Sequence, residues 1–228
     1  MEPLKSVLRD PGTPVEHSPI GSSGSPDSFS SEATDLKSIT PPLIHIPLVG
    51  AAKGYGTLLG SANGVEAYSN QDPSHVSKEP SYTKDNVYSG MKWQCVEYSR
   101  RYMQQKSGFT FSDVYGAHNI WHLEHAAKVS DGTEVAFNSI ANGKSTVPPK
   151  VGNLIIYPIS EDTPYGHVAV ITNVEGTKAF VAEQNWDNSE WPGDKSYSRV
   201  LNLTTNSAGK HVLTDESGLQ VLGWKALE

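Results

Sequence analysis

The sequence predicts an α+β domain behind a polar tail, and three observations carry that prediction. A run of helical period surrounds the only cysteine, a second such run follows it, and a series of short β-rich segments comes after Pro148-Pro149. Helical segments first and strand segments afterwards segregate the two kinds of structure along the chain, as α+β folds do. A length of 228 residues suits one domain with a full core and leaves little room for a second.

The elements follow in order. Residues 1–42 hold clusters such as Gly21-Ser22-Ser23-Gly24-Ser25-Pro26 and are read as a disordered tail with little to bury. Residues 43–52 form a short extended linker, restricted by Pro42 and Pro47 to an edge at best, and the domain covers 53–228. Tyr68 to Gly90 carries Ser, Asn, Asp and Pro at short intervals and reads as loop-rich. From Met91 to Lys106, Cys95, Tyr98, Tyr102 and Gln105 fall at steps of three and four between Gly90 and Gly108, which predicts one helix with Cys95 in its first turns. Ile120, Leu123 and Ala127 predict a second helix over Ala117 to Val129. The strands expected after it are 153–157, 167–172, 179–184, 197–203 and 219–224.

Composition excludes several classes of function. A net charge of −7 without clustered Lys and Arg argues against nucleic-acid binding. One cysteine rules out an intrachain disulfide and any Cys-based zinc cluster, and points to a reducing compartment. No apolar run resembles a signal peptide or a membrane span, so a soluble cytoplasmic protein without a membrane partner is expected. Nothing in the pattern specifies an oligomer.

Cys95 at a helix start suits a nucleophile, because unpaired N–H groups and the helix dipole favour the thiolate. A lone cysteine is more often a small buried hydrophobe, so a partner is required. Among eight histidines, His167 opens the run Gly166-His167-Val168-Ala169-Val170-Ile171-Thr172, and Glu183 lies in the next run, Ala179 to Asn185. A hairpin centred on Glu175 sets these two residues directly opposite on one face, where a carboxylate holds an imidazole. A two-residue loop at Glu175-Gly176 instead puts them on opposite faces unless a bulge intervenes. The plain structural reading of the pair is a cross-strand ion pair at a sheet edge. A rival constellation is His118, His122 and His125 with Glu124, which could bind zinc on one helix face but lacks the HExxH order; no metal is assigned.

The segments MKWQCVEYSRR at 91–101, PYGHVAVIT at 164–172 and VAEQN at 181–185 together resemble the amidase domain of glutathionylspermidine synthetase/amidase, a member of the papain-like CHAP superfamily. The resemblance runs from about Tyr55 to Trp224. It implies a cysteine-bearing helix packed on an antiparallel sheet, with Cys95 as nucleophile, His167 as base and Glu183 as orienting acid. It also implies Gln94 and the Cys95 N–H as oxyanion donors, and substrate contacts at Gln94, Arg100, Val114, Tyr115, Gly116, Ala117 and Asn185. The stretch Val114-Tyr115-Gly116-Ala117 departs from the family pattern. Bifunctional relatives continue into an ATP-dependent synthetase, whereas this chain stops at Glu228, so no synthesis, nucleotide or other cofactor is expected.

The implied reaction is hydrolysis of a glycyl-polyamine amide such as glutathionylspermidine, through a cysteinyl thioester. The alternatives are a peptidoglycan endopeptidase or amidase of the same type, and a silent binding or redox-sensing module in which Cys95 is reversibly oxidised.

Overall fold

A computed structural model of the chain describes residues 51–228. The expected tail at 1–42, and the expected linker up to residue 50, lie outside the described residues. The strands run β1 (Leu58–Ala62), β2 (Val65–Tyr68), β3 (Pro80–Tyr82) and β4 (Tyr88–Met91) before the helix α1 (Cys95–Ser107). After it come β5 (Phe109–Thr110), a 3₁₀ helix (Ala117–His122), β6 (His125–Lys128) and β7 (Glu134–Ala141). The rest are β8 (Leu154–Tyr157), β9 (His167–Glu175), β10 (Lys178–Ala182), β11 (Arg199–Thr205), β12 (His211–Thr214) and β13 (Gly223–Leu227). Nine of these make one sheet in the order β12-β11-β10-β9-β8-β13-β7-β6-β5. Its pairs are all antiparallel, and the expected α+β architecture with a cysteine-bearing helix on an antiparallel sheet holds.

The central strands are buried on both faces, which explains their near-continuous apolar runs. Leu154, Ile156, Val168 and Val170 pack with Tyr98, Tyr102 and Met103 of α1, while Ile155, Ala169, Ile171, Val181 and Leu201 form a second cluster with Trp224. Adjacent residues of one strand therefore belong to different cores, as the two-residue period of a strand demands. Among the described residues, no helix is long and apolar enough to cross a membrane.

Helix α1 is shorter at its start than the periodicity predicts. Gln94 is extended (φ −78°, ψ 156°) and caps the helix, so Cys95 is the first helical residue. The left-handed Gly108 (φ 75°) closes the other end by donating its N–H to the Gln104 carbonyl. Most of α1 is buried, including polar Glu97, Arg100 and Arg101, while Gln105 is exposed.

The predicted second helix is a correction. Only its first half coils, and as a 3₁₀ turn, because from His125 the chain pairs with β7 (His125 with Ala136, Ala126 with Val135). Sheet pairing to a segment further along the chain overrides local helical period. The same change removes the shared face that the zinc reading needed, since His118 and His122 sit on a 3₁₀ turn and His125 on a strand.

Candidate active site

The β9–β10 hairpin decides whether His167 and Glu183 meet, and its geometry corrects both expected registers. Glu175 pairs with Lys178, so the loop is Gly176-Thr177, with Gly176 left-handed at φ 54°. That turn alone would set Glu183 opposite Val170 and turn it away from His167. A bulge intervenes at Thr172: Phe180 pairs with Asn173 but Val181 pairs with Ile171. The extra residue inverts the parity beyond it. Continuing that register sets Glu183 level with Ala169, two residues from His167 and on its face. The pair is diagonal rather than directly opposed, a separation that long side chains span.

The contact forms. His167 Nε2 lies 2.8 Å from Glu183 Oε2, and both residues are buried. With Nε2–H donated to the carboxylate, Nδ1 is the nitrogen left for Cys95. Burial opposes the charged ring, but the charge and hydrogen bond of the neighbouring Cys95, then those of Glu183, push His167 up to about 9. Trp186 packs on the imidazole with ring centroids 4.9 Å apart.

Glu183 has partners that the sequence did not disclose. Its Oε1 accepts from Arg199 Nε at 2.6 Å and from the Ser198 hydroxyl at 2.9 Å, and its Oε2 accepts from Arg199 Nη2 at 3.1 Å. Burial would raise its pKa, yet the Arg199 charge and the His167 and Arg199 hydrogen bonds hold it well below the ordinary carboxylate range. Arg199 also donates to Asp215 at 2.7 Å, and Asp215 accepts from the Tyr157 hydroxyl at 2.7 Å. The signal was present only as a register: Arg199 pairs with Val181, two residues before Glu183.

As the first helical residue, Cys95 has a backbone N–H without an intrahelical acceptor. Gln94, the other expected oxyanion donor, is engaged elsewhere. Its Nε2 donates to the His75 carbonyl at 2.9 Å and to Asn70 Oδ1 at 3.3 Å, and its Oε1 accepts from Asn185 Nδ2 at 3.0 Å. Gln94 and Asn185 are thus brought together beside Cys95, under the loop around His75.

Arg100 is the clearest correction among the expected substrate contacts. It is 2% exposed, and its guanidinium donates to the Phe111, Ser89 and Ser112 carbonyls at 3.0–3.1 Å and pairs with Asp113 at 2.9 Å. Those acceptors commit it to β4 and to the chain after α1 rather than to a ligand. Of Val114 to Ala117, Ala117 is buried, Val114 packs on the first core, and Tyr115 projects into solvent at 86% exposure. Gly116 admits no side chain, since a Cβ there would stand 2.8 Å from the Tyr165 carbonyl. This stretch therefore lies against the loop that delivers His167, with Tyr115 and Tyr165 in edge contact at 5.9 Å.

A buried histidine bonded to a clamped carboxylate, beside a helix-start cysteine on a helix-plus-antiparallel-sheet frame, suits nucleophilic hydrolysis. The CHAP domain profile matches residues 86–185, which span Cys95, His167 and Glu183. CHAP domains are hydrolases, amidases and peptidases among them. More particularly, the chain is similar to the glutathionylspermidine enzymes. It is 36% identical to "Glutathionylspermidine synthase" of Crithidia fasciculata over 61% of this chain and 19% of that protein. It is 33% identical to "Bifunctional glutathionylspermidine synthetase/amidase" of Escherichia coli (strain K12) over 75% of this chain and 29% of that one. The matches thus span between 19% and 29% of the length of these relatives. Among solved structures, Ly7917 aligns at 18% identity and a TM-score of 0.31 over 59% of this chain and 53% of its own.

Proposed function

We propose that this chain is a cysteine-dependent amidase that hydrolyses an amide between a glycyl carbonyl and a polyamine amine, with glutathionylspermidine as the substrate and glutathione and spermidine as products. The observation that carries this reading is the buried His167–Glu183 pair at 2.8 Å, with Cys95 leading α1 beside it. Similarity to the glutathionylspermidine enzymes supports the substrate class.

In this reading Cys95 gives its proton to His167 Nδ1 and its sulfur attacks the amide carbonyl carbon. The oxyanion is held by the Cys95 N–H and by Gln94 Nε2, which exchanges its Asn70 and His75 acceptors for it. One such donor is worth about 3 kcal/mol in the transition state. As the C–N bond breaks, His167 passes the proton to the leaving amine. It then takes a proton from the water that hydrolyses the thioester, releasing a carboxylate and restoring the thiol. Glu183 keeps the Nε2–H tautomer throughout. Asn185 and the Val114 to Ala117 stretch bind the substrate.

The test is to incubate purified protein with glutathionylspermidine and, separately, with cell-wall digests, following free glutathione and new peptide amines. Glutathione release from the first and no cleavage of the second is expected. Cleavage of the wall digest alone would replace this substrate with a peptidoglycan peptide, and no cleavage of either would favour a binding module.

A further inference from the structure

Arg199 is a second charged group at the same site, half-buried with its side chain 17% exposed, and the triad chemistry leaves it without a task. Its guanidinium meets Glu183 with Nε on one carboxylate oxygen and Nη2 on the other, at 2.6 and 3.1 Å. Its third nitrogen meets Asp215 at 2.7 Å, and its carbon lies 4.0 Å from the centre of the Trp186 ring, the ring that also packs on His167.

We propose that Arg199 is a positioning residue that acts through Glu183, fixing the plane of the carboxylate and keeping it ionised so that Oε2 stays on His167 Nε2. This deepens the proposed function and rests on its reading of the triad. A buried carboxylate that has only a histidine for company tends to take up a proton, because burial disfavours the anion. The protonated acid would be a poorer acceptor for His167. A guanidinium supplies both a permanent charge and a rigid fork that matches the two carboxylate oxygens, whereas a lysine supplies the charge without the fork.

The groups around Glu183 come from several elements. His167 from β9, Arg199 at the start of β11 and Ser198 just before it bond the carboxylate, while Tyr157 from β8 and Tyr98 from α1 feel its charge. Burial pushes both tyrosines up, so they stay neutral across the working range. Asp215 faces Arg199 rather than Glu183; burial would raise it, but the Arg199 charge and the Ser217 hydrogen bonds hold it below its ordinary range, and it anchors the far side of the fork. Arg199 is therefore the permanent cation on the Glu183 carboxylate.

The sign follows. With Arg199 present, the Glu183 carboxylate remains charged well below its ordinary range; without it, protonation sets in at higher pH. The test compares wild type, Arg199→Gln and Arg199→Lys, each first shown by circular dichroism to be folded. Two readouts are taken against pH: kcat and KM for hydrolysis, and the downfield proton resonance of the His167 Nε2–H···Glu183 bond, assigned by its loss in His167→Ala. Arg199→Gln should lose about 10- to 100-fold in kcat, the size typical of removing a partner that orients a functional group, with KM little changed. Its acid limb should move to higher pH, and the resonance should vanish at a pH where wild type keeps it. Arg199→Lys should keep the limb near wild type while kcat still falls.

Folded Arg199→Gln with wild-type kcat and an unmoved resonance overturns the proposal. Should Arg199→Gln fail to fold, Asp215→Asn removes the anchor while leaving the charge, and an undisturbed resonance and kcat there would equally overturn it. If wild type hydrolyses no amide tested yet the resonance behaves as described, the proposed function fails and the positioning role stands.

Discussion

Replacing Cys95 with alanine should abolish hydrolysis, with a loss of about 10⁴-fold or more in kcat, as removal of a nucleophile that acts as a unit with its base typically brings. The chain has no other cysteine to take over. Its sulfur stands at the first position of α1 and next to His167, whose second nitrogen is occupied by a carboxylate. Cys95 is 8% exposed and the side chain is small, so the variant should fold. Substrate turnover with a matched thermal melt checks both halves. Activity retained within a few-fold of wild type would remove Cys95 from the chemistry.

The largest effect on stability is expected from Glu97→Ala. Glu97 is fully buried in the first turn of the helix and accepts from Arg101 at 2.7 and 3.2 Å, from Gln184 at 2.9 Å and from the Ser89 hydroxyl at 3.0 Å. Removing it leaves the Arg101 cation buried without its counterion, a change that costs about 3–5 kcal/mol. For a domain of this size that lowers Tm by on the order of 10 °C. Glu97→Gln keeps the shape and part of the hydrogen bonding and should lose less. Because Gln184 neighbours Glu183, loss of its anchor should also weaken activity more than the stability change alone accounts for. Chemical denaturation of the three proteins checks the order wild type, Glu97→Gln, Glu97→Ala.

The chain declared its element types more clearly than its registers. Tyr98 and Tyr102 announced a helix because their spacing is a local property, and β8 to β11 announced themselves through short apolar runs, whereas β12 was not expected and the last strand spans Gly223–Leu227 rather than 219–224. Cys95, His167 and Glu183 could be picked out as chemistry-bearing residues in the right kinds of element. Whether His167 and Glu183 met could not be read, because it turns on a single extra residue at Thr172, and a bulge is set by pairing across the hairpin rather than by composition. Arg199 was invisible for a related reason: it lies 16 residues from Glu183 and reaches it only through the β10–β11 register. Arg100 was misjudged because the carbonyls that claim it belong to Ser89, Phe111 and Ser112, outside its own helix. The family resemblance supplied the residue types around the cysteine, while the burial that commits some of them to structure came only with the fold.

The most direct measurement of the central claim is intact-protein mass spectrometry after rapid acid quench of the enzyme mixed with glutathionylspermidine. A transient adduct of the glutathionyl acyl mass, mapped by peptide digestion to Cys95, is the predicted result. Glutathione released at full rate with no adduct at any time, or an adduct on another residue, would contradict a Cys95 thioester.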